Sequence, residues 1–124
     1  MDEIKSLDTY ALIEISKENP SFSEYINTSI LLNDLTLAEF YNVLLREEGE
    51  SVAEYWLKKL ETYSVSVPRE LLIEAVKFRR KHKEKNFSFF DAVGYIFALN
   101  NKTPFVTGDK EFENMINVEF RKSN

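Results

Sequence analysis

The sequence predicts an α/β fold with a mainly parallel sheet, and three observations carry that expectation. Short apolar runs of strand length recur along the chain. Segments with apolar residues at helical spacing lie between them, and Pro or Gly marks several of the junctions. Strands and helices that alternate in this way pack as a sheet covered by helices. No internal repeat, low-complexity segment or linker interrupts the pattern, and 124 residues suit one domain spanning 1–124.

In order, Ile4 to Leu7 is the first strand candidate, ending at Asp8-Thr9. Lys5 and Ser6 are poor residues for a strand covered on both faces. Tyr10 to Ser16 reads as a short helix, and Asn19-Pro20 as punctuation. Thr28 to Leu32 is a second strand, followed by Asn33-Asp34 and a helix from Thr36. In that helix Leu37, Phe40, Tyr41, Leu44 and Leu45 form one stripe, Glu39 lies roughly opposite, and Gly49 stops it. A further helix runs from about Ser51 to Glu61, with Val52, Trp56, Leu57 and Leu60 on one side. Tyr63 to Val67 alternates with period two and is closed by Pro68, giving a third strand. Arg69 to Lys81 is helical, its core face Leu71, Leu72, Ala75 and Val76. A buried helix follows, then a strand at Pro104 to Thr107, a polar helix from Lys110 and a last strand at Val118 to Phe120.

The stretch from Phe87 to Leu99 is apolar around the whole circumference of a helix, which marks it as buried. Asp91 is the only charged residue between Lys85 and Lys102. A carboxylate in such surroundings needs a partner or a metal.

Bulk composition narrows the classes. The chain has no cysteine, which excludes disulfides, thiolate zinc sites and a cysteine nucleophile. Met1-Asp2-Glu3 is acidic where a signal peptide is basic, and no apolar run has membrane-spanning length. A cytoplasmic protein with no membrane partner is expected. The net charge of −5 argues against coating nucleic acid by bulk electrostatics. Charge is nevertheless uneven: Lys77 to Lys85 carries +5, leaving −10 elsewhere. That segment is either a solvated helix end and loop or a phosphate-contacting strip beside an acidic pocket.

The fold class ties four acids together. In a right-handed β–α–β sheet the strands end, and their following helices begin, at one common edge. Asp8 and Asp109 follow strands, Glu39 starts the helix after the second strand, and Asp91 starts a helix that precedes a strand. The return from Lys81 to Ser88 is feasible, since the helix before it covers about 20 Å and the loop reaches roughly 23 Å when extended. Each acid also has a structural explanation. Thr36 to Glu39 and Ser88 to Asp91 fit the capping box, and Asp8 and Asp109 fit N-caps or turns. Two carboxylates ~4 Å apart repel by about 4 kcal/mol at an effective dielectric near 20, so a cluster needs cations. Oxygen-only ligands suit Mg²⁺ or Mn²⁺ rather than zinc. His82, the single histidine, sits in the basic segment and reads as a surface residue rather than a general base.

LDTYALIEI from Leu7, LTLAEFYNVL from Leu35 and FFDAVGYIFALNNKTPFVTGDKEF from Phe89, in this order, resemble a PIN domain. The likeness is greatest to the small prokaryotic toxins of VapBC-type toxin–antitoxin pairs, and it covers essentially the whole chain. It implies a three-layer α/β/α fold around four to five mainly parallel strands. It also implies a Mg²⁺- or Mn²⁺-dependent endoribonuclease with Asp8, Glu39, Asp91 and Asp109 as metal-binding and catalytic acids. Thr107 matches the hydroxyl residue two before the last acid. Tyr10 departs from the pattern, standing where these proteins often carry Asn or Ser. The expected partners are RNA, a small antitoxin protein and a second copy of the chain.

Other readings are weaker. A phosphoreceiver needs paired acids after the first strand, and a haloacid-dehalogenase-type phosphatase needs Asp-x-Asp; Asp8-Thr9-Tyr10 supplies neither. An RNA-processing or RNA-binding scaffold with little nuclease activity is the alternative function. Tyr41, Tyr55 and Trp56, on two consecutive helices, either line a groove for an amphipathic antitoxin segment or pack the core.

Overall fold

The computed structural model describes residues 3–123. Five parallel strands form its sheet: β1 (Lys5–Leu7), β2 (Ile30–Asn33), β3 (Ser64–Val65), β4 (Phe105–Thr107) and β5 (Val118–Phe120), in the order β3-β2-β1-β4-β5. The helices are α1 (Thr9–Ser16), α2 (Asp34–Glu47), α3 (Glu50–Leu60), α4 (Arg69–Lys81) and α5 (Phe89–Asn100). Among the described residues, no helix is long and apolar enough to cross a membrane.

The period of two along each strand separates the faces. Register pairs Ser6 with Phe105 and Leu7 with Val106. Leu7 and Val106 join one cluster with Ala11, Leu12, Phe22, Phe40 and Leu44, drawn largely from α1 and α2. Phe105 joins the other with Phe87, Tyr95 and Phe112. Gly94 lets α5 lie close to β4, because a Cβ there would stand 3.1 Å from the Phe105 ring.

The polar first strand is explained by partners distant in sequence. Lys5 Nζ pairs with the Glu119 carboxylate at 2.8 Å, and the Tyr25 hydroxyl donates to the same carboxylate. Ser6 and Thr103 hydroxyls bond at 2.7 Å. These contacts satisfy polar groups that would otherwise penalise burial.

Several local expectations are corrected. The second strand is shifted to Ile30–Asn33, and the third shortens to Ser64–Val65. Beyond the Asn19-Pro20 punctuation the chain forms a 3-10 segment, Pro20–Asn27, whose Phe22 and Tyr25 are buried. The polar helix from Lys110 is a single 3-10 turn, Lys110–Phe112. The buried helix starts at Phe89, and Phe90 on its first turn stands 36% exposed. Segment 82–88 is a compact turn rather than an extended return. The Lys85 N–H donates to the His82 carbonyl, and Arg79 Nε donates to the Phe87 carbonyl at 2.8 Å. Gly49 does more than stop α2. Its φ of 97° lets α3 begin one residue later, a conformation costly for other residues.

Candidate active site

The four acids reach the carboxyl edge of the sheet by different routes. Asp8 extends β1, donating its N–H to the Val106 carbonyl at 3.1 Å. It also caps α1, its Oδ1 accepting the Ala11 N–H at 3.0 Å. Asp91 forms a complete capping box with Ser88, each side chain accepting the other's N–H, at 2.8 and 3.0 Å. Asp109 caps the short turn after β4 through the Glu111 N–H at 3.0 Å.

Glu39 behaves differently from expectation. The box from Thr36 to Glu39 does not form, because α2 starts two residues earlier, at Asp34, with Asn33 as its cap. Glu39 instead accepts the Thr9 hydroxyl across the gap to α1, at 2.5 Å. The capping explanation therefore holds for Asp8, Asp91 and Asp109 and fails for Glu39.

All four acids line one open cavity of about 400 Å³, which Thr9, Tyr10, Gly108, Lys110 and Lys122 also border. For Asp8, Asp91 and Asp109 capping and convergence are thus one arrangement, since the turns they cap begin at this edge. Among the described residues no three acidic or histidine side chains are drawn together as a ready-made ion cage. Each of the four carboxylates is engaged by a separate hydrogen bond, and like charges disfavour their closer approach.

Electrostatics single out Asp8, Glu39 and Asp91. Burial pushes the Asp8 carboxyl up to about 7, against the opposing hydrogen bonds of Thr107 and Ala11, and Asp91 and Asp109 push the same way. Burial also raises Glu39; the Thr9 hydroxyl opposes this and Asp91 adds to it. Asp91 is raised by burial, opposed by its Ser88 bonds and by Arg79, and raised further by Asp109. Buried carboxylates that raise one another mark a place where positive charge is wanted.

Supporting residues fix this edge. Thr107, fully buried, accepts the Asp109 N–H on its hydroxyl at 3.0 Å and links Asp109 to Asp8. Tyr10 closes one wall. Its hydroxyl accepts the Ser123 N–H at 3.0 Å, and its ring lies where a Cβ on Gly108 would come within 2.1 Å. Gly108 is therefore required by the close approach of Tyr10 beside Asp109.

The sequence reading missed Thr9, Lys110 and Lys122. Thr9 carried a signal in its place directly after Asp8. Lys122 carried none, because its position depends on β5 pairing with β4 and on Arg121 N–H reaching the Thr107 carbonyl at 2.8 Å. His82 is not among the residues lining the cavity; its Nδ1 lies 3.1 Å from the Phe78 carbonyl and its ring is tilted against Phe78.

In a parallel α/β sheet ligands bind outside the carboxyl ends of the strands, which is where the four acids gather. The PIN domain family model matches residues 6–117, and the chain belongs to that family. No curated protein sequence matches the chain. Among solved structures it is similar to the Mycobacterium tuberculosis toxin VapC20, described as cleaving the sarcin–ricin loop. That match has a TM-score of 0.77 and 18% identity over 94% of this chain and 99% of the other. It is also similar to a Klebsiella pneumoniae toxin–antitoxin complex, with a TM-score of 0.76 and 15% identity over 93% and 95%. Rickettsia felis VapBC2, solved with a DNA fragment from its promoter, matches with a TM-score of 0.75 and 16% identity over 98% and 99%. These likenesses establish the fold.

Proposed function

We propose that the chain is a Mg²⁺- or Mn²⁺-dependent endoribonuclease and the toxin of a toxin–antitoxin pair. The observation that carries this reading is the meeting of Asp8, Glu39, Asp91 and Asp109, from four separate elements, around one cavity. The donor set fits a hard divalent ion: all oxygen, all anionic, with Asp91, Asp109 and Glu39 each using one carboxylate oxygen in the bonds described above. A bound ion supplies Lewis acidity, activating water and stabilising the leaving oxygen of the phosphodiester.

The chain's own residues position that chemistry. Asp8, Asp91 and Asp109 are the main ligands, with Asp8 oriented by Thr107. Glu39, steered by Thr9, is a further ligand or orients the attacking water. Lys110 and Lys122 bring positive charge to the rim, where the phosphate enters. The toxin assignment draws on the similar structures, two of which are toxin–antitoxin assemblies.

An antitoxin and a second copy of the chain are the proposed protein partners. Tyr55 is 57% exposed beside a cavity of about 240 Å³ that Ile26, Trp56 and Leu60 also line, and this is the side offered to the antitoxin. Trp56 itself packs partly against the core, and the Tyr41 hydroxyl bonds Glu54, so only part of the expected aromatic set is free.

The test is cleavage of a mixed RNA pool by purified protein. Mg²⁺- or Mn²⁺-dependent cutting that EDTA stops and Asp91→Asn removes is the expected result. Binding of RNA without cutting under any divalent ion would transfer the protein to the scaffold reading.

A further inference from the structure

Next to the acidic cavity lies a larger one of about 560 Å³ with the opposite charge. Arg79 and Arg80 from the last turn of α4, Lys83 and Lys85 from the following turn, and the rings of Phe87 and Phe89 line it. Cations at a helix C-terminus complement the helix dipole, which explains their sign but not their grouping around a hollow.

Two further observations separate this cavity from a solvated helix end. Among the described residues the ion pairs are Lys5–Glu119, Arg46–Glu47, Lys77–Glu74 and Arg121–Glu24, so none of the four cations here has a carboxylate partner. Two of them are also held in place. Arg79 is fixed on the Phe87 carbonyl at 2.8 Å, and Lys85 Nζ donates to the Glu111 carbonyl at 3.2 Å. Pinned, unpaired cations around one hollow repel each other until an anion enters.

The two cavities share supports. Phe89 and Asp91 belong to the first turn of α5. Glu111, which anchors Lys85, also accepts the Asn86 N–H on its carboxylate and donates its own N–H to Asp109. The two cavities therefore border the same end of α5 and are braced by the same Glu111 turn.

We propose that this cavity seats the phosphodiester backbone of single-stranded RNA flanking the bond to be cut, with the half-buried Phe89 ring as a stacking face for a base. The inference rests on the ribonuclease reading for the position of the scissile bond. Phosphates in series with an aromatic wall favour a nucleic acid over an acidic peptide, whose carboxylates have no use for a stacking face.

The test is fluorescence anisotropy of a labelled single-stranded RNA against salt concentration, in EDTA so that no cleavage intervenes. The double variant Arg80→Gln, Lys83→Gln should bind several-fold more weakly, with a log–log salt slope shallower by about 1.4, the loss of two single-strand phosphate contacts. Lys58→Gln, Arg69→Gln removes the same charge from exposed positions elsewhere and should leave the slope unchanged. An unchanged slope in the first variant, or an equal loss in both, overturns the proposal. Polyglutamate that competes at this cavity while RNA affinity ignores the Arg80 and Lys83 changes also overturns it, in favour of an acidic protein. A slope lost as expected, in a protein that cuts no RNA with Mg²⁺ or Mn²⁺, sustains the basic site and removes the nuclease reading. Cutting with an unaltered slope does the reverse.

Discussion

Thr9, the first residue of α1, donates its hydroxyl to the Glu39 carboxylate of α2, thirty residues away in sequence, at 2.5 Å. This one bond aims a side chain that no cap holds. Thr9→Val keeps the branched shape and removes the donor. The expected outcome is a fall in cleavage of roughly tenfold to a hundredfold, the range for losing a contact that orients a metal site. Stability should change by only about 1 kcal/mol. Thr9→Ser, which keeps the hydroxyl, should restore most of the rate. Single-turnover cleavage and urea melts measure the two effects.

Asp91→Asn separates ligand from cap. Asn keeps an oxygen to accept the Ser88 N–H and removes the charge that Asp109 opposes. The metal-free variant should melt at or above the wild-type temperature, as expected where a functional charge strains the fold. Mn²⁺ should raise the wild-type melting temperature and the variant's much less. Cleavage should fall by orders of magnitude. A destabilised variant with wild-type metal response and full activity would return Asp91 to a purely structural role. Ser88→Ala, by contrast, should cost about 0.5–2 kcal/mol through the lost cap.

Asp8 predicts an unusual pH dependence of stability. Its carboxyl titrates at about 7 in the fold against an ordinary value of 3.8. The folded protein therefore holds this proton more tightly than the unfolded chain does. Between those two pH values the folded state binds more protons, so this group makes stability fall as pH rises; below the lower value the loss is absent, and above the upper it is complete. In EDTA the melting temperature of wild type should decline from pH 5 to pH 8 more steeply than that of Asp8→Asn. With Mn²⁺ the wild-type decline should flatten, and ion binding near neutral pH should release a proton measurable by calorimetry in buffers of different ionisation enthalpy.

Gly108→Ala tests the wall beside Asp109. The added methyl would lie 2.1 Å from the Tyr10 ring and 2.5 Å from the Arg121 carbonyl, so ring and tail must both move. A loss of about 1–3 kcal/mol is expected from such overpacking, with a drop in cleavage as the Asp109 turn shifts. Adding Tyr10→Ala relieves the ring contact but not the carbonyl, so rescue should be partial. Thermal melts of the single and double variants check this.

The sequence by itself determined the alternation of strands and helices, and with it the edge where acids would meet. The apolar stripe of α2 and the all-round apolar α5 were readable because periodicity is local, and α5 betrayed Asp91 as the one charge in its run. Position in the β–α order then placed Asp8 and Asp109 at that edge without any distance being known.

Tertiary structure decided the rest, because the deciding partners are remote along the chain. Lys5 and Ser6 look wrong for a covered strand until Glu119 and Thr103 are beside them. Glu39 looked like half of a capping box, and only the docking of α1 against α2 gives it Thr9. The pinning of Arg79 and Lys85 around a hollow needs the turn at 82–88 and the Glu111 carbonyl together. Local pattern fixes which face of an element is buried, because burial follows period. Which polar groups meet is set by the packing of separate elements, and no run of neighbouring residues encodes that.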